Sequence, residues 1–342
     1  MLTTSFHAVA HFMAGRGTAF VLIAAILAGS ALGIVLPEAG NLVSGQIDFT
    51  ILLLVFLLLF DVRLQAVLSS VNRLPFIAAA LIANFVIIPA LGFAIASVFL
   101  SAHPLFFIGL LIYFVAPCTD WFLGFTRLAK GNTALGAALL PINMIIQLLL
   151  YPVYLHLFGV DALDTGVSGV FQTLWQWFFI PFVLALGSRF IAERVLRADH
   201  FDLLQSGVAL TVPILLAILV GQIAAANIGT LMSHLAIFPL ILSAIFVFFV
   251  ATFLLSKTIS TLMKLTYEDR VLLTMTTAAR NAPLMLALTL VVIPDQPVIY
   301  AAIIIGMLIE LPHLVALKMI LTRQRPELPD TSAVLEGEPS AR

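Results

Sequence analysis

Polar side chains that could bind a substrate stand inside stretches of this sequence that are otherwise apolar. They are Cys118, Thr119, Asp120, Arg280, Asn281, Glu310, Asn84 and Asn143. A charged side chain at the centre of a membrane helix costs about 2.5–3.5 kcal/mol, so such residues are rarely placed against lipid without a use. We interpret the set as candidate substrate-binding residues. The structural alternative is an ion pair between Asp120 and Arg280 that only joins two helices.

The chemistry of these groups favours capture of a small polar or anionic molecule. The guanidinium of Arg280 has a planar donor fork that suits a carboxylate or an oxyanion. Asp120 and Glu310 have carboxyl groups that can carry protons. Cys118 is either a soft ligand near the end of a helix or, as spacing alone favours, a small buried residue. Because no paired aspartates, Ser/His dyad or HExxH pattern occurs in the apolar stretches, we expect no catalytic residues, metal site, cofactor or enzyme activity.

The composition places these residues in a membrane. Hydrophobic residues make up 62% of the 342 residues, charged residues 10%, and the mean hydropathy is +1.16. Soluble domains contain roughly 45–50% apolar and about 25% charged residues. There is no basic patch with interleaved aromatic residues, so nucleic acid is not an expected partner. The single cysteine excludes an intramolecular disulfide and any CxxC site.

A helix needs about 20 mostly apolar residues to cross the hydrocarbon core. The first half of the chain has such stretches at Thr18–Leu36, Ile47–Asp61, Leu74–Leu100, Pro104–Leu128 and Thr133–Phe158. The second half has them at Leu174–Ala192, Leu203–Ala226, Leu235–Ser256, Val271–Ile293 and Pro297–Leu321. The sequence therefore predicts an all-α, multi-pass membrane protein with about ten spans.

The basic residues give an independent test of this map. Under it, 15 of the 16 Lys and Arg residues fall on one side of the membrane, and the remaining one, Arg280, falls inside a span. Cytoplasmic loops are the ones enriched in Lys and Arg. We therefore predict that both termini are cytoplasmic and that the chain lies in the plasma membrane.

Two spans are interrupted by proline at corresponding positions of the two halves. Pro117 interrupts the fourth span and Pro283 the ninth, and paired interruptions of this kind mark the midplane binding site of transporters built from inverted repeats. The alternative is two ordinary proline kinks. We predict a first inverted repeat at residues 1–158, a second at 172–322, and a disordered cytoplasmic tail at 323–342, with the fourth and ninth helices broken and crossed.

The motifs around these breaks resemble the bile acid:sodium symporter superfamily, specifically its arsenical-resistance (arsenite efflux) branch. Pro117-Cys118 with Arg127–Asn132 (RLAKGN) is similar to the fourth-span motif, Ala278–Asn281 (AARN) occupies the place of the ninth-span A-S-N-N, and Gly306–Pro312 (GMLIELP) is similar to the last-span G-P-L-V-E-V-P. The resemblance covers the whole chain. It implies ten spans in two inverted halves, a panel domain of spans one, two, six and seven against a core domain with the crossed helices, and a functional role for Cys118.

Departures from the family pattern bear on the coupling ion. The branch usually has arginine where this chain has Pro117, and its ninth span usually reads N-N-F-E where Arg280 to Pro283 stand here. One hypothesis is that the positive charge moved from span four to span nine while a negative charge moved to Asp120. The sodium-coupled branch supplies oxygen ligands at four positions where this chain has Phe122, Leu123, Thr276 and Arg280. Sodium coupling is therefore disfavoured, and proton coupling is expected.

Taken together, the sequence predicts a secondary transporter with protons as the coupling ion and a small molecule or oxyanion as substrate. The resemblance favours efflux of arsenite, antimonite or a related small metalloid species. The alternative is a small organic anion whose carboxylate binds Arg280. A receptor or scaffold is disfavoured because the chain has no soluble domain besides the short tail.

Overall fold

The computed structural model describes residues 18–36, 38, 45–60, 73–118, 121–157 and 172–325. Thr119, Asp120 and the predicted tail beyond Arg325 lie outside the described residues. The described part is helical throughout, with one isolated antiparallel β-bridge between Pro117 and Arg280. The predicted all-α class is confirmed.

The helices follow one another along the chain with short connections. In the first half they are α1 (Thr18–Val35), α2 (Ile47–Phe60), α3 (Leu74–Leu100), α4 (Pro104–Val115), α5 (Trp121–Leu128) and α6 (Thr133–Leu157). In the second half they are α7 (Gln172–Val195), α8 (Ala198–Ser233), α9 (Phe238–Leu262), α10 (Tyr267–Ala278), α11 (Ala282–Val292) and α12 (Pro297–Arg323).

These helices fall within the predicted spans, and the predicted multi-pass membrane protein is confirmed. Six of them, α3, α6, α7, α8, α12 and α9 with its preceding turn, are long and apolar enough to cross a bilayer, and four described helices are shorter and apolar. The exact count of ten spans stays a prediction. The helix α12 continues through Arg323, so the predicted tail begins with a helical residue.

Proline marks many of the helix starts. It stands at the first or second position of α3, α4, α9, α11 and α12. The first turn of a helix leaves its N–H groups without an intrahelical partner, so proline loses no hydrogen bond there and its fixed φ already suits the helix. The same residue that interrupts a long apolar stretch therefore begins the next helix without penalty.

The helices pack in two groups. The panel group contains α1, α2, α7 and α8, in which α1 packs along α8 and α2 packs on α7 and α8. The core group contains the remaining helices, with α4 packed on α3 and α12, and α10 packed on α5 and α9. The groups meet where α8 contacts α12 and where α2 contacts α11. The panel group consists of the four spans that the family resemblance implies.

Close backbone contact between α1 and α8 holds the panel group together. A Cβ added at Gly29 would lie 2.2 Å from the carbonyl oxygen of Gly221, and one added at Gly33 would lie 2.2 Å from that of Ala225. Helices inside a membrane gain little from apolar burial against each other, so small residues four apart, which let backbones approach, provide the packing.

We expect Gly29→Ala to lower the free energy of unfolding by about 1–3 kcal/mol, because the new methyl group forces α1 and α8 apart. The matched control is Gly207→Ala in α8, where an added Cβ meets nothing within 4 Å. That control should be neutral or stabilising by up to about 1 kcal/mol through helix propensity. Thermal unfolding of the purified protein in detergent measures both changes, and equal effects of the two variants would contradict the packing argument.

Candidate functional site

The broken helices cross in the core group, and their extended segments hydrogen-bond to each other. Residues 116–118 separate α4 from the start of the next described helix, and residues 279–281 separate α10 from α11. The backbone N–H of Cys118 donates to the carbonyl of Ala279 at 3.0 Å, and the N–H of Asn281 donates to the carbonyl of Ala116 at 2.9 Å. The pairing is antiparallel around Pro117 and Arg280. The predicted broken, crossed helices are confirmed.

This pairing answers a problem that a break inside lipid creates. A helix end leaves backbone N–H and C=O groups without intrahelical partners, and no water in the hydrocarbon core can satisfy them. Pro117 has no N–H to place, and Pro283 lies in the first turn of α11, where an N–H is not needed. The two breaks thus each supply the partners for the other's remaining backbone groups.

Arg280 binds the carbonyl ends of both broken helices. Its Nη1 donates to the carbonyl of Phe114 in the last turn of α4 at 3.0 Å, and its Nη2 donates to the carbonyls of Thr276 and Thr277 in α10 at 3.2 and 2.6 Å. The residue is fully buried. Since a helix C-terminus has the negative end of the macrodipole, the guanidinium offsets two such ends with one charge. Its Nε has no partner among the described residues.

Glu310 of α12 binds the same crossing from the opposite chemical sense. Its Oε1 accepts from the backbone N–H of Arg280 at 2.9 Å, and its Oε2 accepts from the hydroxyl of Tyr113 at 3.2 Å. Gly306, one turn before Glu310, makes room for the Tyr113 ring, because a Cβ there would lie 2.7 Å from it. The last-span motif therefore provides both the space and the acceptor for a tyrosine from α4.

Buried amides form a second polar cluster next to the crossing. The hydroxyl oxygen of Thr276 accepts from the Nδ2 of Asn84 at 3.2 Å and from the Nδ2 of Asn143 at 3.3 Å. All three side chains are fully buried. We call Asn84, Asn143, Gln147 and Thr276 the amide cluster. It joins α3, α6 and α10 at one point.

The backbone of α3 is widened where it presents Asn84. Residues Ala83–Ile87 form a π-helical segment, and Pro89 follows it. Proline has no N–H for the carbonyl four residues earlier, which is that of Phe85. The hydroxyl of Tyr154 in α6 donates to this carbonyl at 2.7 Å instead. Local π-helical segments are frequent at functional sites, and here one sets the position of an amide.

Several polar atoms of the amide cluster have no hydrogen-bond partner among the described residues. They are the Oδ1 atoms of Asn84 and Asn143 and both the Oε1 and Nε2 of Gln147, which lies one turn after Asn143 on α6. The Gln147 side chain is 2% exposed. A buried polar group left unpaired costs about 1–3 kcal/mol. Since such groups usually have a partner, these amides need water or a bound molecule.

Cys118 lies beside the amide cluster. It is buried, and it belongs to the same packed cluster as Ala80, Leu139 and Met275. Ala80 precedes Asn84 by one helical turn, and Leu139 precedes Asn143 by one turn. The thiol and the amides therefore face a common interior region bounded by α3, α6 and α10.

Six of the eight predicted site residues can be placed, and all of them lie in or next to this interior. Arg280, Asn281 and Glu310 lie at the crossing, Asn84 and Asn143 lie in the amide cluster, and Cys118 lies between the two sets. Thr119 and Asp120 lie outside the described residues, so the proposed pairing of Asp120 with Arg280 stays a prediction. The sequence analysis missed Tyr113, whose signal was a single hydroxyl in an apolar span.

We expect Tyr113→Phe to cost about 1.5–3 kcal/mol, because it removes a buried hydrogen bond to the Glu310 carboxyl group. In the Glu310→Gln background the same change should cost less, which a double-mutant cycle on thermal unfolding measures. Tyr151→Phe serves as the control, because that hydroxyl contacts Thr289 at 3.2 Å and not Glu310. Additive effects of Tyr113→Phe and Glu310→Gln would argue against the contact.

Comparison with known proteins agrees with the motifs. The model of the Sodium Bile acid symporter family matches residues 49–168. The chain is also 27% identical over 259 residues to the arsenical-resistance protein Acr3 of Corynebacterium glutamicum, covering 70% of this chain and 67% of that protein. The predicted resemblance is thereby confirmed: the chain is a multi-pass membrane protein similar to the transporters of the bile acid:sodium symporter family.

Proposed function

We propose that this protein is a secondary transporter that exports arsenite, antimonite or a related small metalloid species in exchange for protons. The observation that supports this most is the composition of the interior beside the crossing, which combines a thiol with unpaired, uncharged amides. The similarity to an arsenical-resistance protein points in the same direction. We further propose a plasma-membrane location with both termini cytoplasmic, as the distribution of Lys and Arg favours.

The amide cluster suits an uncharged hydroxylated molecule. Arsenite at neutral pH is largely As(OH)3, whose hydroxyl groups both donate and accept hydrogen bonds. The unpaired oxygens of Asn84 and Asn143 can accept from such hydroxyls, and Gln147 can both accept and donate. A single thiol at Cys118 adds weak, reversible capture through sulfur. Weak capture suits transport, since three thiolates would hold the substrate too tightly to release it.

Proton coupling fits the crossing better than sodium coupling does. The carbonyls of Phe114, Thr276 and Thr277, which a metal ion could otherwise use, bind the guanidinium of Arg280. A fixed positive charge repels a second cation at that place. Phe122, at a position where the sodium-coupled branch supplies oxygen, is fully buried in the apolar core. We propose Glu310 and Asp120 as the proton carriers.

The alternative substrate is a small organic anion bound by Arg280. Both Nη atoms of Arg280 already donate to backbone carbonyls, and the side chain is fully buried. A carboxylate would have to displace those carbonyls inside lipid, where they have no other donor. We therefore assign Arg280 to the crossing rather than to the substrate, and metalloid export remains the proposed function.

We also propose that residues 1–158 and 172–322 are inverted repeats. The antiparallel bridge between Pro117 and Arg280 supports this, because two inverted halves bring their corresponding spans together in opposite directions. In such an arrangement the site near the midplane is exposed to each side in turn as the panel and core groups move against each other.

Arsenite flux into inside-out vesicles, driven in turn by a proton and a sodium gradient, tests the proposed function. We expect flux with the proton gradient alone. Cys118→Ser and Asn143→Leu should each lower it by about tenfold, because losing one ligand or buried hydrogen-bonding group costs about 1–2 kcal/mol.

The control for these variants is Thr211→Val. Thr211 is exposed on α8 and its hydroxyl bonds only to the carbonyl of Gly207, so its loss should leave the flux unchanged. Sodium-dependent flux would sink the coupling assignment. Unaltered arsenite flux in both the Cys118 and the Asn143 variants would sink the substrate assignment.

Arg280 separates the two substrate hypotheses through stability. We expect Arg280→Ala to lower the free energy of unfolding by about 3–5 kcal/mol, since it leaves buried polar groups uncompensated. Low millimolar guanidinium should partly restore the unfolding midpoint of this variant and not raise that of the unaltered protein. If Arg280→Ala unfolds like the unaltered protein but loses transport of an organic anion, the alternative gains and our assignment fails.

A further inference from the structure

A basic pocket lies away from the crossing, where α9, α10 and α12 meet. Its volume is about 240 Å³, and its polar lining includes Lys257, Lys264, Arg270, Ser260 and Gln324. Phe253, Leu265 and Leu321 form its apolar part. No acidic side chain is among the lining residues of this described region. Arg270 and Arg280 are ten residues apart on the α10 strand of the chain, which corresponds to about 15 Å, so the pocket is separate from the transport site.

Two atoms of this pocket indicate that it is built to hold a ligand. Ser260 is 4% exposed and its Oγ has no hydrogen-bond partner among the described residues. The Nε of Arg270 is likewise buried without a partner in that part of the chain. A buried hydroxyl and a guanidinium nitrogen that both lack partners are donors in search of an acceptor.

The turn after α9 places a third donor at the pocket at some conformational cost. The N–H of Lys264 bonds to the carbonyl of Thr261 and the N–H of Leu265 bonds to that of Ser260, which is the arrangement that usually ends a helix with glycine. Lys264 has a φ of 49°, in the left-handed region that glycine adopts most easily. A lysine that occupies this position despite the strain brings an ammonium group to the rim.

We propose that this pocket binds the phosphate of an acidic membrane lipid. Three basic side chains and a buried hydroxyl match the charge and the acceptor oxygens of a phosphate group. The pocket lies at the Lys- and Arg-rich ends of membrane helices, where basic pockets bind acidic head groups. Leu262, 77% exposed, adjoins the rim residue Thr261, so lipid chains can reach the pocket from the bilayer. Phe253 and Leu321 would contact the first part of the acyl chain.

Thermal unfolding of the purified full chain in neutral detergent tests this site without any transport assay. Added phosphatidylglycerol should raise the unfolding midpoint saturably, and phosphatidylcholine should not. The triple variant Lys257→Gln, Lys264→Gln, Arg270→Gln should shift half-saturation upward by about a hundredfold, since each basic side chain near an acidic lipid contributes roughly a factor of five. Ser260→Ala keeps every charge and should weaken binding by a few-fold, which preserves the test if the triple variant folds poorly.

The matched control removes three exposed basic residues elsewhere, as Arg127→Gln, Arg194→Gln, Arg197→Gln, and should bind the lipid normally. If it loses as much protection as the pocket triple variant, the effect is general charge and the site is refuted. Equal protection of the unaltered protein and the pocket triple variant refutes it as well. Protection by inorganic phosphate alone, equal to that by phosphatidylglycerol, overturns the lipid as the source of the phosphate.

Discussion

The whole arrangement depends on the rule that a polypeptide inside lipid must satisfy its own backbone hydrogen bonds. Two helices are interrupted in the core group, and each interruption releases N–H and C=O groups. The extended segments around Pro117 and Arg280 pair with each other, and the guanidinium of Arg280 takes the carbonyls that pairing does not reach. Glu310 accepts the one N–H of this segment that would otherwise point at an apolar helix. Neither break is possible without the other.

That satisfied backbone contrasts with the unsatisfied side chains beside it. At the crossing, donors and acceptors are matched with only the Nε of Arg280 left over in the described region, whereas the amide cluster keeps four polar atoms without partners there. Rigid, paired backbone and unpaired side chains have different uses. The first fixes where α4, α10 and α11 end, and the second leaves hydrogen-bonding capacity for a molecule that enters and leaves. A binding site for a transported molecule requires both properties within one helical turn.

Much of this could be predicted from sequence because the relevant signals are local. Apolar stretches of sufficient length gave the helices, and Pro117 and Pro283 located both breaks to within about a residue or two. The contacts that close the crossing could not be predicted in the same way. Tyr113 and Glu310 are 197 residues apart in the chain, and Arg280 reaches a carbonyl 166 residues away. A guanidinium in an apolar span suggests a ligand for an anion, and only the tertiary structure shows carbonyls around it.

A charge that is part of the chain has a consequence that a bound ion does not have. A metal ion at the ends of α4 and α10 would leave whenever its concentration fell, and the negative ends of the two helices would then face each other uncompensated. Arg280 is covalently attached, so the crossing keeps its charge balance on both sides of the membrane and at any salt concentration. An ion that never leaves cannot carry energy from a gradient into transport. Coupling must therefore use groups that change their charge at each turnover, and carboxyl groups that take up and release protons meet that requirement.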